Sequence, residues 1–335
     1  MSQTITENED WMGAPAEPEN LAPAVLETWS RTRERLVGTA RRFGWNRSEI
    51  AKRSSVPAGT LYPWLDGTSK GRYDTVAERL EKWLDSVEEL TVAAARVPVA
   101  PGYVETPTAR KLIDALLFAQ MMPEMVVLNL GSGMGKSTAA VHYRDTRPHV
   151  FSVTMRPTTA STNNMLRVLC DAFDISERDP AKLDRAIGEK LKRNGRNTLL
   201  IVDEAQNLTD QAVDQLRFYL DNFGVGIALL GNEEMYRRFG GQKPKPAYAQ
   251  LHRRIGLRLQ QLQPVEADIE ILLDAWPIED KAIRRLATAV ARKPGALGQM
   301  TKTLQLAGIY AAGEQRPMSI DDVKVAIRNR GLEDH

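Results

Sequence analysis

Two separated segments of the sequence carry the residue types that bind phosphate groups and a divalent cation. The first, LGSGMGKS at 130–137, follows the apolar run 125–130. Glycines in such a loop let backbone N–H groups converge on an anion, because a Cβ would block positive φ angles or close approach. A lysine then reaches the phosphates, a hydroxyl binds Mg²⁺, and the next helix turns the positive end of its dipole to the anion. The residues expected to bind the phosphates of a nucleotide are Gly131, Ser132, Gly133, Met134, Gly135, Lys136, Ser137 and Thr138.

The second segment, TLLIVDE at 198–204, is an apolar run that ends in two carboxylates. Asp203 is expected to bind Mg²⁺ directly or through water, together with Ser137, and Glu204 to polarise the water that attacks the γ-phosphate. A solvated strand end is the alternative for this pair. The strict pattern G-x-x-x-x-G-K-[ST] is not met, because its first glycine falls on Leu130. The glycines that approach phosphate come later in the loop, so the two segments still predict a site for ATP and Mg²⁺.

The composition indicates a globular protein of two or three domains. A chain of 335 residues that is 42% hydrophobic and 26% charged can build separate apolar cores. The single cysteine, Cys170, excludes a disulfide framework within the chain, which fits a reducing cytoplasm. The histidines have no metal-ligand spacing, and no apolar run approaches the roughly eighteen residues of a membrane span. We therefore expect a cytoplasmic protein with no zinc site and no membrane partner.

Changes in composition and periodicity divide the chain into five segments. Residues 1–25 are acidic, rich in Pro, Asn and Glu, and aperiodic, which predicts a disordered tail. Helical periodicity over 26–95 predicts an all-α domain, and the prolines and glycine of 96–107 predict a linker. Strands alternating with helices over 108–263 predict an α/β core with a parallel sheet and the nucleotide at the carboxyl ends of the strands. Over 264–335 the pattern is helical, which predicts a helical lid.

Within the all-α domain, residues 47–67 resemble a helix-turn-helix of the repressor-like type, whose second helix normally enters the major groove of DNA. Basic residues outnumber acidic ones over 31–53, which predicts a phosphate-facing surface. Gly59 offers no side chain to a base, Pro63 removes a backbone bond, and 57–63 has no bidentate base reader. We therefore expect weakly specific DNA binding, with a protein-contact module or an inert helical domain as alternatives. The candidate DNA contacts are Arg47, Arg53, Thr60 and Tyr62.

The order of motifs in the α/β core resembles that of AAA+ ATPases of the DNA-transposition branch. The phosphate loop is followed by IVDEAQ at 201–206, LLGN at 229–232 and LHRRI at 251–255. With the helix-turn-helix in front and the helical end behind, nearly the whole chain resembles the MuB family of phage transposition proteins. The resemblance implies an ATPase that forms a homo-oligomer or helical filament on double-stranded DNA in a bacterial host cell. It also implies that this DNA becomes a transposition target for a transposase of the DDE integrase type, which stimulates hydrolysis.

The same resemblance implies further site residues. Asn232 would lie at the end of the fourth strand and help to orient the attacking water, with an ordinary strand-end turn as its alternative. Arg254, or otherwise Arg253, would reach the γ-phosphate bound by the next subunit, where an arginine stabilises developing charge. Surface or phosphate-binding roles are the alternatives for both arginines.

In the lid, Gly298 stands where many AAA+ proteins carry a nucleotide-sensing arginine, and Lys293 and Lys302 are the candidate substitutes. Basic segments of the core could also contact DNA, and their composition favours sequence-tolerant binding to the phosphate backbone. The candidate contacts there are Arg156, Arg237, Arg238, Lys243 and Lys245.

Two other functions share these motifs. The first is a helicase-loader-like ATPase, and the second is a nucleotide-gated transcriptional regulator that reads DNA with the helix-turn-helix. The chain has no Asn-Lys-x-Asp signature for guanine, which favours ATP over GTP.

Overall fold

A computed structural model describes residues 10–19, 21–240 and 249–333 of the protein. The chain divides into two compact units, Met1–Val97 and Pro98–His335. The boundary lies inside the segment 96–107 that the prolines and glycine predict as a linker. Across the described ranges, no helix combines the length and apolar character needed to cross a membrane.

The described part of the first unit is helical. A single 3-10 turn at Asp10–Met12 precedes four α-helices: α1 Pro23–Phe43, α2 Arg47–Ser54, α3 Ala58–Leu65 and α4 Tyr73–Arg96. A capping box starts α2, because the Asn46 side chain accepts the Glu49 N–H at 2.9 Å and the Glu49 carboxylate accepts the Asn46 N–H. The turn between α2 and α3 passes through Ser55 at φ 57°. The core of this unit includes Trp29, Leu36, Ile50, Leu61, Trp64, Leu65 and Leu80.

A segment predicted to belong to the disordered tail is part of this core. Trp11 is only 5% exposed and packs among the buried residues of the unit. The buried Arg33 guanidinium donates to the carbonyl oxygens of Trp11 and Gly13 at 2.7 and 2.8 Å. The tail prediction for 1–25 therefore needs correction at residues 11–13, where one aromatic side chain supplies enough apolar surface to hold an aperiodic segment. Residues 1–9 and 20 lie outside the described residues.

The second unit contains a five-stranded sheet in the order β2-β3-β4-β1-β5. All four strand pairs are parallel, which confirms the predicted parallel sheet. The register pairs Leu128 with Leu230 and Ile201 with Ala228, so the carboxyl ends of β1, β3 and β4 reach one edge of the sheet. The strands are β1 Met125–Leu130, β2 Val150–Thr154, β3 Leu199–Asp203, β4 Gly226–Gly231 and β5 Ile255–Gln261.

Helices cover both faces of the sheet because the strand side chains alternate between two apolar cores. Val126 and Leu128 face the side covered by α5 and α6, whereas Met125 and Val127 face the side covered by α7, α8 and α9. The helices of this part are α5 Pro107–Met121, α6 Lys136–Thr146, α7 Thr162–Ala172, α8 Leu183–Asn194, α9 Asp210–Phe223, α10 Glu233–Met235 and α11 Ala249–His252. The shorter turns are 3-10 turns at Pro157–Thr159 and Ala205–Asn207 and a π-helical turn at Tyr236–Gly240.

Four further helices lie in the segment predicted as a lid, and they have an apolar core of their own. They are α12 Glu266–Asp274, α13 Lys281–Ala291, α14 Ala296–Gly313 and α15 Ile320–Asn329. The backbone N–H and hydroxyl of Thr108 donate to the buried Asp268 carboxylate at 2.9 and 2.6 Å, which joins α5 to α12. The Gly298 N–H donates to the Gly133 carbonyl oxygen at 2.9 Å. The first turn of α14 therefore rests on the loop predicted to bind phosphate.

Candidate nucleotide-binding site

The glycines of the phosphate loop occupy positions that other residues would strain. Gly133 and Gly135 have φ angles of +72° and +80°, in the left-handed region. A Cβ on Gly133 would lie 1.9 Å from the Gly295 carbonyl oxygen, and a Cβ on Gly131 would lie 2.1 Å from that of Leu262. Leu130, at the first glycine of the strict pattern, is the buried last residue of β1. The departure from the pattern therefore falls on the strand and leaves the loop intact.

The residues predicted to hold phosphate and Mg²⁺ meet at the start of α6. The Ser137 hydroxyl donates to Asp203 Oδ2 at 2.7 Å. Mg²⁺ prefers hard oxygen ligands and is commonly bound by few protein groups together with phosphates and water, so this oxygen pair fits the ion. Lys136 Nζ donates to the carbonyl oxygens of Leu130 and Gly231 at 3.1 and 3.0 Å. The three predicted side chains thus lie at the edge of the sheet where β1, β3 and β4 end.

Glu204 and Asn232 are linked by a glutamine that the sequence prediction missed. Glu204 has a φ of 55°, and its carboxylate accepts a hydrogen bond from Gln206 Nε2 at 2.5 Å. The Asn232 N–H reaches Gln206 Oε1 at 3.4 Å, while the Asn232 side chain caps α10 by accepting N–H groups of Glu234 and Met235. Gln206 is visible in the sequence DEAQ at 203–206. Its contact with Asn232 depends on the fold, which places the end of β4 beside this segment.

A pocket of about 530 Å³ lies above the phosphate loop, and Glu204 is part of its wall. Its volume is in the range of small-molecule and cofactor sites. Residues 100–104 and Thr106, which lie in the segment predicted as a linker, form another wall. Tyr103 of this segment stacks on His142 of α6, with ring centroids 3.7 Å apart and planes at 8°. From the lid, the wall includes Leu272, Leu297, Gly298, Thr301, Lys302 and Gln305.

The two lysines considered as lid substitutes lie in different environments. Lys293 Nζ donates to the Leu332 carbonyl oxygen, near the carboxyl end of α15. Lys302 is exposed and lines the pocket, one helical turn after Gly298 on α14. Gly298 itself packs on the phosphate loop, because an added Cβ would lie 3.1 Å from Gly133 Cα. Of the two candidate lysines, Lys302 is therefore the one that lines the pocket.

Arg254 lies immediately before β5 and is held by its own subunit. Its Nε forms an ion pair with Asp221 Oδ1 of α9 at 2.8 Å, and its side chain is 52% exposed. Arg253 is also exposed. Neither arginine is among the residues that line the pocket described above. The assignment of Arg254 stays a prediction.

Two predicted DNA contacts are engaged inside the fold. The Arg238 guanidinium donates to the carbonyl oxygens of Gln206 and Leu208 and to the Asp210 carboxylate, leaving its side chain 23% exposed. Arg47 donates through both terminal nitrogens to Asp66 at 2.9 Å and lies 5.7 Å from the rings of Trp11 and Tyr62. Arg47 and Arg238 therefore already have partners within the fold, and their contact with DNA stays a prediction. Lys243 and Lys245 lie outside the described residues.

The basic surface predicted from residues 31–53 is also smaller than the sequence suggests. Arg31 pairs with Glu81 at 2.8 Å, Arg35 pairs with acidic residues of α4, and burial lowers the pKa of Arg33. Arg53 lies exposed over the Trp45 ring at 4.6 Å. The predicted contacts that remain exposed are Arg53, Thr60, Arg156 and Arg237, and Tyr62 is half-buried.

Comparison with known proteins agrees with this geometry. A model of the C-terminal part of the Mu B transposition protein matches residues 253–329, and an AAA domain model matches 131–239. Over 287 residues the chain is 29% identical to the ATP-dependent target DNA activator B of Escherichia phage Mu, covering 85% of this chain and 90% of that protein. Over 260 residues it is 30% identical to the Mu-like prophage FluMu DNA transposition protein B of Haemophilus influenzae, covering 76% and 89%.

Solved structures with a similar fold include Cdc6p from Pyrobaculum aerophilum, with a TM-score of 0.54 and 15% identity over 71% of this chain and 70% of that one. The Aeropyrum pernix Orc1 protein, solved in complex with DNA, has the same TM-score with 14% identity over 71% and 69%. These similarities confirm the AAA+ fold, and the AAA domain match confirms the predicted ATPase.

Proposed function

The chain belongs to the family of Mu B transposition proteins, and from this premise we propose an ATP-dependent DNA-binding protein that selects transposition targets. In this proposal it assembles on duplex DNA with little sequence preference and delivers that DNA to a transposase of the DDE integrase type. The main support for ATP dependence is that Ser137, Asp203 and Lys136 lie together at the phosphate loop. The names of the relatives, which include target DNA activation, support the transposition step.

The site suits hydrolysis of the terminal phosphate of ATP. The loop N–H groups and the amino end of α6 bind the phosphates, and Lys136 exchanges its carbonyl partners for phosphate oxygens. Ser137 and Asp203 would hold Mg²⁺, which when bound neutralises charge on the phosphates. Glu204 accepts a hydrogen bond from the attacking water and orients it. The lid closes over the loop through Gly298, which limits access of other water.

Arg254 is proposed to complete the site of a neighbouring subunit. Alone, Arg254→Ala and Glu204→Gln should each lower hydrolysis, the arginine variant by about 10³-fold, because charge on the γ-phosphate loses its stabilising partner. Mixed, the two variants should recover part of the activity, since some interfaces pair an intact Arg254 with an intact Glu204. Steady-state ATPase rates of co-assembled mixtures measure this.

The neighbouring Arg253→Ala is the matched control for the mixing experiment. Recovery with Arg253→Ala and none with Arg254→Ala would transfer the role to Arg253. If neither variant restored ATPase activity under conditions where the proteins co-assemble, the proposed sharing of a site between subunits would be contradicted.

DNA binding is expected to depend on ATP and strongly on salt. The exposed candidates Arg53, Arg156 and Arg237 suit phosphate contacts, and α3 offers few groups to bases. Contacts with phosphate release counterions, so affinity should fall steeply with salt, and joining subunits multiplies weak contacts. The experiment measures binding to two unrelated duplexes, with and without ATP, over a salt series.

A double variant sharpens this test. Arg156→Gln with Arg237→Gln should weaken binding equally on both duplexes and flatten the salt dependence. Arg178→Gln with Arg185→Gln removes two other exposed arginines of the same unit and should leave binding unchanged. Tight, ATP-independent binding to one duplex only would contradict this proposal and favour a transcriptional regulator.

A further inference from the structure

We propose that Asp268 and Thr108 position the lid helices α12–α15 over the phosphate loop and thereby set the affinity for nucleotide. The inference rests on the proposed nucleotide site. Both residues are fully buried. Asp268 Oδ1 accepts the Thr108 N–H at 2.9 Å, and Asp268 Oδ2 accepts the Thr108 hydroxyl at 2.6 Å. One carboxylate of the lid therefore holds the first turn of α5, a helix that packs on the sheet.

The Asp268 carboxylate also stabilises the start of its own helix. Asp268 is the third residue of α12, and its Oδ2 accepts the Val265 N–H at 2.9 Å. The amino ends of α5 and α12 thus converge on one buried carboxylate, where free N–H groups and both helix dipoles favour an anion. Val265 has no side-chain acceptor to cap the helix in return. The position of α12 relative to α5 therefore depends on the Asp268 side chain.

The same network reaches the phosphate loop. Gln261, the last residue of β5, donates its side-chain amide to the Thr108 hydroxyl at 2.6 Å. The Gln261 carbonyl oxygen accepts the Gly131 N–H at 3.0 Å. Gly131 is the first glycine of the loop, and an added Cβ there would lie 2.1 Å from the Leu262 carbonyl oxygen. Thr108 therefore contacts the lid on one side and, through Gln261, the phosphate loop on the other.

The contact between the lid and the loop tolerates little displacement. The Gly298 N–H donates to the Gly133 carbonyl oxygen at 2.9 Å, and a Cβ on Gly133 would lie 1.9 Å from the Gly295 carbonyl oxygen. A displacement of about 1 Å would break this hydrogen bond, because N–H···O bonds weaken beyond roughly 3.2 Å. The lid also supplies part of the pocket wall. Its position should therefore decide how tightly the pocket holds nucleotide.

The first test removes the Thr108 hydroxyl. Thr108→Val keeps the branched shape of the side chain but removes the donor to Asp268 and the acceptor of Gln261. Kd and KM for ATP should rise about tenfold, the factor for one hydrogen bond to a charged group. The Kd for ADP should rise by a similar factor, because Thr108 is fully buried and does not line the pocket. The kcat should change little, since binding lost equally from ground and transition states raises KM alone.

Two further variants control for a general loss of stability. Thr108→Ser retains the hydroxyl and should bind nucleotide nearly as tightly as the unmodified protein. Thr198→Val is the matched control, because Thr198 is also fully buried and its hydroxyl donates to the Gly195 carbonyl oxygen at 3.0 Å. It should lower the midpoint of thermal unfolding, as Thr108→Val does, and leave Kd and KM unchanged.

Gln261→Met tests the connection to the loop and decides the matter if Thr108→Val does not fold. Gln261 is half-buried, and the substitution removes the amide donor to Thr108 while the backbone bond to Gly131 remains. The Kd for ATP should rise about threefold, the factor for one hydrogen bond between neutral groups. An unchanged Kd in this variant would contradict the inference.

The outcomes separate this inference from the proposed function. Suppose that the unmodified protein binds ATP and Lys136→Ala does not. Unchanged nucleotide affinity of folded Thr108→Val would then overturn the positioning role alone. Equal weakening of nucleotide binding by Thr198→Val would also overturn it, because affinity would then follow stability in general. If the unmodified protein did not bind ATP, the proposed function would fail and the positioning role with it.

Discussion

Lys136→Ala is expected to abolish ATP binding at concentrations that saturate the unmodified protein. The ammonium is half-buried at the loop, where its present partners are the carbonyl oxygens of Leu130 and Gly231. Hydrogen bonds to charged groups contribute about 1.5–3 kcal/mol each, so loss of two phosphate contacts weakens binding by roughly 10²–10⁴-fold. Equilibrium binding of a fluorescent ATP analogue measures the change.

The control for this variant is Lys192→Ala, which removes an exposed lysine from the last turn of α8. It should bind ATP as the unmodified protein does. Thermal unfolding should show that Lys136→Ala retains the fold, since its bonds in the resting protein are to neutral carbonyls. Equal ATP affinity of Lys136→Ala and the unmodified protein would contradict the assignment of the loop.

The phosphate loop was predictable from sequence because its chemistry is local. Glycines at Gly133 and Gly135, a lysine and a hydroxyl follow one another, and the left-handed φ angles confirm why glycine stands there. The partner strand was also predictable, since an apolar run that ends in Asp203 and Glu204 is typical of a buried strand whose end supplies carboxylates to a nucleotide site. Their approach follows from the parallel sheet, which brings the carboxyl ends of its strands to one edge.

The walls of the pocket could not be predicted in the same way. Residues 100–106 have no periodicity, so their prolines and glycine indicate only an interruption between domains. Their place beside the nucleotide loop depends on packing against elements far along the chain, such as the stacking of Tyr103 on His142. Gln206 was missed for a similar reason, because its partner Asn232 is 26 residues away and comes close only through the pairing of β3 with β4.

Charge counting along the sequence overstated the exposed basic surface of the first unit. The sequence shows an excess of arginine over 31–53 but cannot show that Arg31 and Glu81, 50 residues apart, meet between α1 and α4. Arg33 likewise donates its hydrogen bonds to the carbonyl oxygens of Trp11, Gly13 and Leu65. A basic stretch therefore predicts a phosphate-binding face only after the long-range ion pairs are known.

Glu204→Gln is expected to bind ATP normally and to hydrolyse it about 10²–10⁴-fold more slowly, the usual effect of losing a general base. The substitution keeps the size of the side chain and leaves an oxygen that can still accept the Gln206 amide, so the turn Ala205–Asn207 should be preserved. The neutral amide is a much weaker acceptor for the proton of the attacking water. Nucleotide affinity and single-turnover hydrolysis, measured on the same preparation, separate these two effects.

A second acidic residue near the end of β4 provides the comparison. Glu233→Gln changes an exposed carboxylate in α10, one residue after Asn232, and should leave the hydrolysis rate unchanged. If ATP remained bound by Glu204→Gln but disappeared at the rate of the unmodified protein, water would have to be oriented by another group. In the predicted case, ATP would stay bound to Glu204→Gln. This variant should therefore remain assembled on DNA long after the unmodified protein has dissociated. The lifetime of the proposed filament would then depend on hydrolysis through Glu204.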